Sequence, residues 1–500
     1  MPPYISRRQF LALSGSAVAA TTVLGSCGRS PSAIGPSNAS VAVAERRRRG
    51  VKATIRDVEL TAGEVIVDLG GRMVRTWGYN GMVPGPEIRV ARGEVLRVKV
   101  TNRLPEATSV HWHGVALRND MDGVPGVTQK GIDPGASFTY EFAVAESGTF
   151  WFHPHSGLQL DKGLYAPLII DDPSEPGRYD REAVVVVDDW TDGVGESPDA
   201  ILGRLTSASH GGMAGMGGMG GAGIPMAMSA VLGGDAGDVS YPVFVLNGAP
   251  PTAPATFDAK PGERIRLRLI NAGADTAFRV ALGGHRLTVT HSDGFPVEPV
   301  TVDAVLLGMG ERYDAVVTVA GSGAFPLVAL AEGKNAQALG VLRSGSGAAP
   351  PATIRPTELD GRLLTLGDLR AGPAVALSAA KPDRTHPVVL SLDGDRYRWR
   401  INGRTFADRL PLDVRQGERV RLVFDNRTTM FHPMHLHGHT FEVRAAAGGG
   451  PGPRKDTVIV RPGEKIAVDF VGDNPGQWVL HCHNVYHMES GMMTTVSYVQ

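Results

Sequence analysis

His481-Cys482-His483 is followed by His487 and then by Met492. A thiolate, imidazoles and a thioether within so short a stretch make a soft donor set, and one Cys with two His and a weak Met is the ligand pattern of a blue copper site. On a strand, where side chains alternate faces, Cys482 points one way while His481 and His483 point the other. One tripeptide can therefore serve metal sites on both faces. A buried Cys among core histidines, or a zinc site, satisfies the bare tripeptide equally well. Met492 at its distance shifts the balance towards copper.

The elements that must carry these residues are strands. The 500-residue chain is long enough for two to four domains, and its 42% apolar content suits a large buried core. A formal net charge of −1 gives no argument for a nucleic-acid partner. Runs rich in Val, Leu and Arg broken by Gly and Pro dominate, and long helical periodicity is scarce. The chain also repeats itself. Asn80-Gly81 precedes Gly93-Glu94 and Asn102; Asn247-Gly248 precedes Gly262-Glu263 and Asn271; Asn402-Gly403 precedes Gly417-Glu418 and Asn426. Three such units predict an all-β protein of three Greek-key β-sandwiches derived from one ancestor. The expected boundaries are 51–175, 176–345 and 376–500, with linkers at 28–50 and 346–375. The Arg46 to Arg49 run is expected to be a solvated part of the first linker.

The repeat also organises the histidines. Nine residues after Asn102 stands His111-Trp112-His113, and nine after Asn426 stands His435-Leu436-His437; nine after Asn271 stands only Val280-Ala281-Leu282. Further on, His153-Pro154-His155 in the first unit answers His481-Cys482-His483 in the third. Any single His-x-His on a strand is more often structural than a ligand, but four at matched repeat positions are not. Each pair puts two imidazoles on one strand face, and the four pairs converge if the first and third units dock. Eight imidazoles suffice for about three metal ions.

Together these residues resemble the four signature segments of the multicopper oxidases: HWHG at 111 to 114, HPH at 153 to 155, HPMHLHGH at 432 to 439 and HCHNVYHMESGM at 481 to 492. The likeness covers the chain beyond its N-terminal linker and implies three cupredoxin-like domains. It implies four copper ions: a type 1 ion on His432, Cys482, His487 and a weak axial Met492; a type 2 ion on His111 and His435; and a type 3 pair. One type 3 ion would take His113, His153 and His483, the other His155, His437 and His481. The middle domain would hold no copper. Among the family, the chain looks most like three-domain copper-resistance oxidases of bacterial envelopes, including mycobacterial ones.

Reducing dioxygen with one-electron donors requires oxidising equivalents stored where oxygen binds, a route from the donor site, and protons. Cys482, flanked by His481 and His483, is a covalent route. Protons call for a carboxylate. Asp122, in Asp120-Met121-Asp122-Gly123, matches the family's acid beside the type 2 ion. Relatives carry a second acid directly after the last type 1 histidine; here that place is Met488, and Glu489 one residue later is the remaining candidate.

The Gly-rich segment 210–228 contains Met213, Met216, Met219, Met226 and Met228. Its glycines argue against a packed helix, and thioethers favour Cu(I) over harder ions. The expectation is a cuprous oxidase that detoxifies copper, with O2 as acceptor and side activity on phenols, Fe(II) or Mn(II). A phenol oxidase would instead need an open apolar pocket at His487, and a non-catalytic copper store or electron carrier would not need a complete cluster. At the N-terminus, Arg7-Arg8 and the apolar stretch 12–24 resemble a twin-arginine export signal, and Leu24-Gly25-Ser26-Cys27 resembles a lipoprotein cleavage site. These predict export to the cell envelope or periplasm, with contact to the membrane only through a lipid anchor on Cys27.

Overall fold

The three copies of the repeat build three similar pairs of sheets, and the repeated residues are those that shape the turns. A computed structural model describes residues 32–50, 53–172, 174–175, 179–207, 227–394, 396–444 and 451–500. Asn80, Asn247 and Asn402 have φ of 51°, 49° and 52°, and each is followed by a glycine of positive φ. This left-handed pair closes a tight hairpin that an L-residue with a larger side chain resists. Each asparagine side chain also accepts a backbone N–H from the neighbouring strand, from Thr61, Val186 and Val389 respectively.

The later asparagines of the repeat stitch the loop that leads to the next strand. The Nδ2 groups of Asn102, Asn271 and Asn426 donate to the carbonyls of Ile132, Leu307 and Val460, at 2.7, 3.0 and 3.0 Å. All three are buried. That constraint explains the constant nine-residue step to His111, Val280 and His435.

In the first unit a four-stranded sheet centred on Ile55–Asp68 and Val95–Asn102 is accompanied by a second one, ordered Ile88–Ala91, Ala166–Asp171, Gly148–His153, His111–His113. The middle unit has sheets of six and five strands, and so has the third. In every unit the opening strand runs parallel to the strand after Gly-Glu: Ile55–Asp68 with Val95–Asn102, Arg181–Trp190 with Arg264–Asn271, Arg384–Leu392 with Arg419–Asn426. The protein is thus an all-β chain of cupredoxin-like sandwiches with few helices.

Both supposed linkers are more ordered than composition suggests. Within 28–50, Ala39–Arg48 is a helix capped by Asn38, whose side chain accepts from Ser40 N; Arg46, Arg47 and Arg48 sit in its last turn, where cations suit the helix dipole. Glu45 is buried and accepts the Ala143 amide at 2.7 Å, so the arginine run belongs to a docked helix and not to a solvated tether. Within 346–375, Leu359, Leu364 and Leu369 are buried, and Leu359 O accepts from Arg279 Nη1. Three leucines in a Gly-Pro-rich strap are enough to fasten it to the middle sheets. Among the described residues, no helix is long and apolar enough to cross a membrane.

Candidate metal centres

Strand register sorts the histidines onto two faces. His432–Leu436 lies antiparallel to Gln477–Cys482, with Met434 opposite Cys482 and His435 opposite His481. Residues opposite each other share a face, so His432, Met434 and Cys482 look one way while His435 and His481 look the other. In the first unit His111 stands opposite His153 and His113 opposite Trp151. Only the 111/113 pair lies wholly on a strand. The other strands end at His153, Leu436 and Cys482, so His155, His437 and His483 lie just past the strand ends. Pro154 stops the ladder in the first case because it has no N–H to give; Gly438, at φ 63°, turns the chain just past His437.

On the first face, Cys482 Sγ lies 3.5 Å from His432 Nδ1 and 3.6 Å from His487 Nδ1, and the two nitrogens are 3.1 Å apart. His487 returns to Cys482 because Asn484 caps the short helix Val485–Glu489, accepting from Tyr486 N and His487 N. Met492 is fully buried and closes the same loop: its N–H donates to His487 O, and its O accepts from Cys482 N. Both imidazoles are engaged on their outer edge, His432 Nε2 with Thr428 Oγ1 at 2.8 Å and His487 Nε2 with Asp238 Oδ2 at 2.9 Å. This commits the Nδ1 atoms to the shared space beside sulfur.

On the second face all eight predicted imidazoles come together. His111, His153, His435, His437 and His481 donate Nδ1–H outward, to Asp122 O, Pro154 O, Asp456 O, Asp122 Oδ2 and Cys482 O. Their Nε2 atoms therefore face inward with free lone pairs. His437 Nε2 is 3.1 Å from His481 Nε2, and His153 Nε2 is 3.4 Å from His483 Nε2. His113 is reversed: its Nε2 faces Asp456 Oδ1 at 3.2 Å, leaving Nδ1 3.5 Å from His153 Nε2.

Metal ions fit these residues. The Nε2 atoms of His111, His155 and His435 and the Nδ1 of His483 are buried with no hydrogen-bond partner, an arrangement a protein interior rarely tolerates unless something else binds there. Burial, then neighbouring imidazoles, push His153, His155, His437 and His483 well below the usual histidine pKa, which keeps them neutral, the form in which an imidazole can take a metal. Burial pushes the Cys482 thiol up, so a bound cation is what would hold it as thiolate. His111, His435 and His437 converge on one point, His155, His437 and His481 on another, and His432, Cys482 and His487 on a third.

The carboxylates divide. Asp122 is fully buried, with Oδ1 3.1 Å from His111 Nδ1 and Oδ2 3.0 Å from His437 Nδ1. Glu489, the expected second relay, is exposed at the end of its helix and shares no hydrogen bond with a cluster histidine. Two acids that sequence reasoning missed do touch the centres: Asp456, at His113 and His435, and Asp238, at His487. Asp238 sits 249 positions from its partner and outside every motif. Of the methionine segment only Met228 is described, exposed and paired across a short ladder with Asp235; Met213, Met216, Met219 and Met226 lie outside the described residues, as does Cys27.

Comparison with known proteins agrees with this geometry. Family models described as multicopper oxidase match residues 61–175, 182–347 and 381–500. The chain is 49% identical to multicopper oxidase MmcO of Mycobacterium tuberculosis over 99% of its own length and 97% of that protein's. It is 30% identical to copper resistance protein A of Escherichia coli, covering 88% and 92%. The laccase of Botrytis aclada superposes with a TM-score of 0.70 at 28% identity, over 90% of this chain and 88% of that one. The chain belongs to the multicopper oxidases, copper-binding oxidoreductases with oxygen as electron acceptor.

Proposed function

We propose that this oxidase takes its electrons from Cu(I) and serves copper detoxification, using four copper ions. His432, Cys482 and His487 with a weak Met492 would hold the type 1 ion, and His111 and His435 the type 2 ion. His113, His153 and His483 would hold one type 3 ion, and His155, His437 and His481 the other. Bound copper supplies the redox chemistry, accepting electrons singly and delivering four, with four protons, to O2 to give water. The chain's own contribution is connection and placement. Cys482 on one face and His481 and His483 on the other join the two centres through three consecutive residues. Asp122 orients His111 through its backbone oxygen and His437 through Oδ2, and its carboxylate would serve as the proton carrier beside them.

The observation that carries Cu(I) as donor is the cap on His487. The ring is fully buried, and its outer nitrogen meets Asp238, whose side chain is 16% exposed. Tyr397 O–H donates to the same carboxylate oxygen at 2.6 Å. Among the described residues, the outer edge of His487 is therefore covered by a carboxylate, with Asp235 close enough to feel its charge, and this supports an acidic entrance for the donor. Such an entrance attracts cations, and the methionine segment reaches the described chain just before it, at Met228. Phenols, Fe(II) and Mn(II) are secondary donors on this reading. The Arg7-Arg8 signal and Cys27 support export to the envelope with a lipid anchor.

Deletion of 211–228 tests the donor. Activity towards Cu(I), as kcat/KM, is expected to fall about tenfold, the equivalent of about 1.4 kcal/mol of lost donor binding, while oxidation of a bulky phenol persists. Equal loss for both donors, or no loss for either, would sink the idea.

A further inference from the structure

The middle unit holds none of the cluster histidines, yet it reaches the eight-imidazole cluster through a buried ion pair. Arg312, on the strand Arg312–Thr318 and fully buried, grips Asp456 of the third unit with both prongs, Nη1 to Oδ1 at 2.7 Å and Nη2 to Oδ2 at 2.6 Å. Two of its three remaining N–H groups are used as well: Nε donates to Thr149 O of the first unit and Nη1 to Gly310 O. Asp293 completes the frame, taking the Arg312 amide on one oxygen and the Asp456 and Thr457 amides on the other.

Asp456 in turn holds two cluster rings. Its Oδ1 accepts from His113 Nε2–H, and its backbone oxygen accepts from His435 Nδ1–H at 3.0 Å. The two rings are stacked with centroids 3.8 Å apart. One is on the first unit and the other on the third, so one residue, through its carboxylate and its backbone oxygen, fixes a ring from each side of the interface. The room for this is built in. A Cβ on Gly114 would lie 2.4 Å from Arg312 Nη2 and 2.5 Å from Asp456 Oδ2.

We infer that Arg312 and Asp456 are a positioning pair through which the copper-free middle unit sets the cluster, holding His113 in the tautomer that turns Nδ1 inward and keeping it in register with His435. A bidentate guanidinium suits the task because its fork fixes the carboxylate plane, which a lysine cannot do. The same fork leaves a carboxylate lobe free for the imidazole. The inference rests on the ligand assignment proposed above.

The test uses the full-length, copper-loaded protein and two absorption bands: the blue band, which reports Cys482, and the near-ultraviolet band of the type 3 pair, together with copper per chain. Arg312→Gln and Asp456→Asn are expected to lose most of the near-ultraviolet band and part of the copper while keeping the blue band. Arg312→Lys, retaining charge without the fork, should fall between. Arg266→Gln serves as control, since it breaks a comparably buried pair with Asp314 on the same sheet, beside His291 but not in contact with any cluster histidine. It should keep both bands. Three outcomes overturn the inference: an intact near-ultraviolet band in Arg312→Gln and Asp456→Asn, loss of both bands together, or equal loss of the near-ultraviolet band in the control. A wild-type protein lacking that band would instead overturn the ligand assignment.

Discussion

Asp235→Asn isolates the charge at the acidic entrance. Burial, then the nearby Asp238 charge, lifts the Asp235 pKa from 3.8 to about 7. In the unfolded chain this carboxyl releases its proton near the lower value, whereas in the folded protein it keeps it to the higher one. Between the two the unfolded state binds fewer protons, so the group's contribution to stability falls as pH rises and is constant above about 7. Three decades of proton affinity at about 1.36 kcal/mol each set an upper bound of about 4 kcal/mol. Solvent reaching this half-buried group reduces the effect to about 2 kcal/mol. Asparagine removes the charge but keeps an oxygen for the Gly237 amide, which Asp235 Oδ1 accepts at 3.2 Å. Urea unfolding of both proteins from pH 4 to pH 8 is the assay. The variant should match the wild type at the acid end and gain stability up to pH 7, with a plateau beyond. A difference that does not vary with pH, or a less stable variant at pH 8, refutes the reasoning.

Cys482→Ser should abolish the blue absorption and the oxidase activity while copper analysis still finds metal in the histidine cluster; retained turnover would contradict the type 1 assignment. Gly310→Ala should destabilise the copper-loaded protein by about 2–4 kcal/mol, from a left-handed backbone and from crowding of rigid rings. Gly310 has φ 85°, and its Cβ would lie 2.9 Å from both His113 Cε1 and His483 Cδ2. Gly262→Ala, at φ 82° but facing open space, isolates the backbone part at about 1–2 kcal/mol in the same unfolding measurement. Equal losses for the two variants would show that the ring contact carries no cost.

The Asn-Gly, Gly-Glu and Asn signals of the repeat were legible because each meets a local demand: a left-handed turn residue or a side chain that stitches its own loop. The eight clustered histidines and the Cys-His-Met set were legible because copper demands particular donors and strands impose an alternation of two. Less was readable where the deciding contact is local in space only. The arginine run at 46–49 gave no sign that Glu45 would dock its helix on Ala143, and the 346–375 strap showed its glycines and prolines more plainly than its three buried leucines. Glu489 illustrates the opposite error, for adjacency to His487 and Met488 in sequence did not bring its carboxyl to the cluster.

By itself the sequence determined the candidate donor residues, their pairing by repeat position and the two faces of the Cys482 strand, since these follow from residue chemistry and the period of a strand. Tertiary structure alone decided that Asp122 Oδ2 turns His437, that Asp238 caps His487 and that Arg312 and Asp456 brace His113. Those choices depend on hydrogen-bond partners 144 to 343 positions away, brought near only where the three sheet pairs pack on one another.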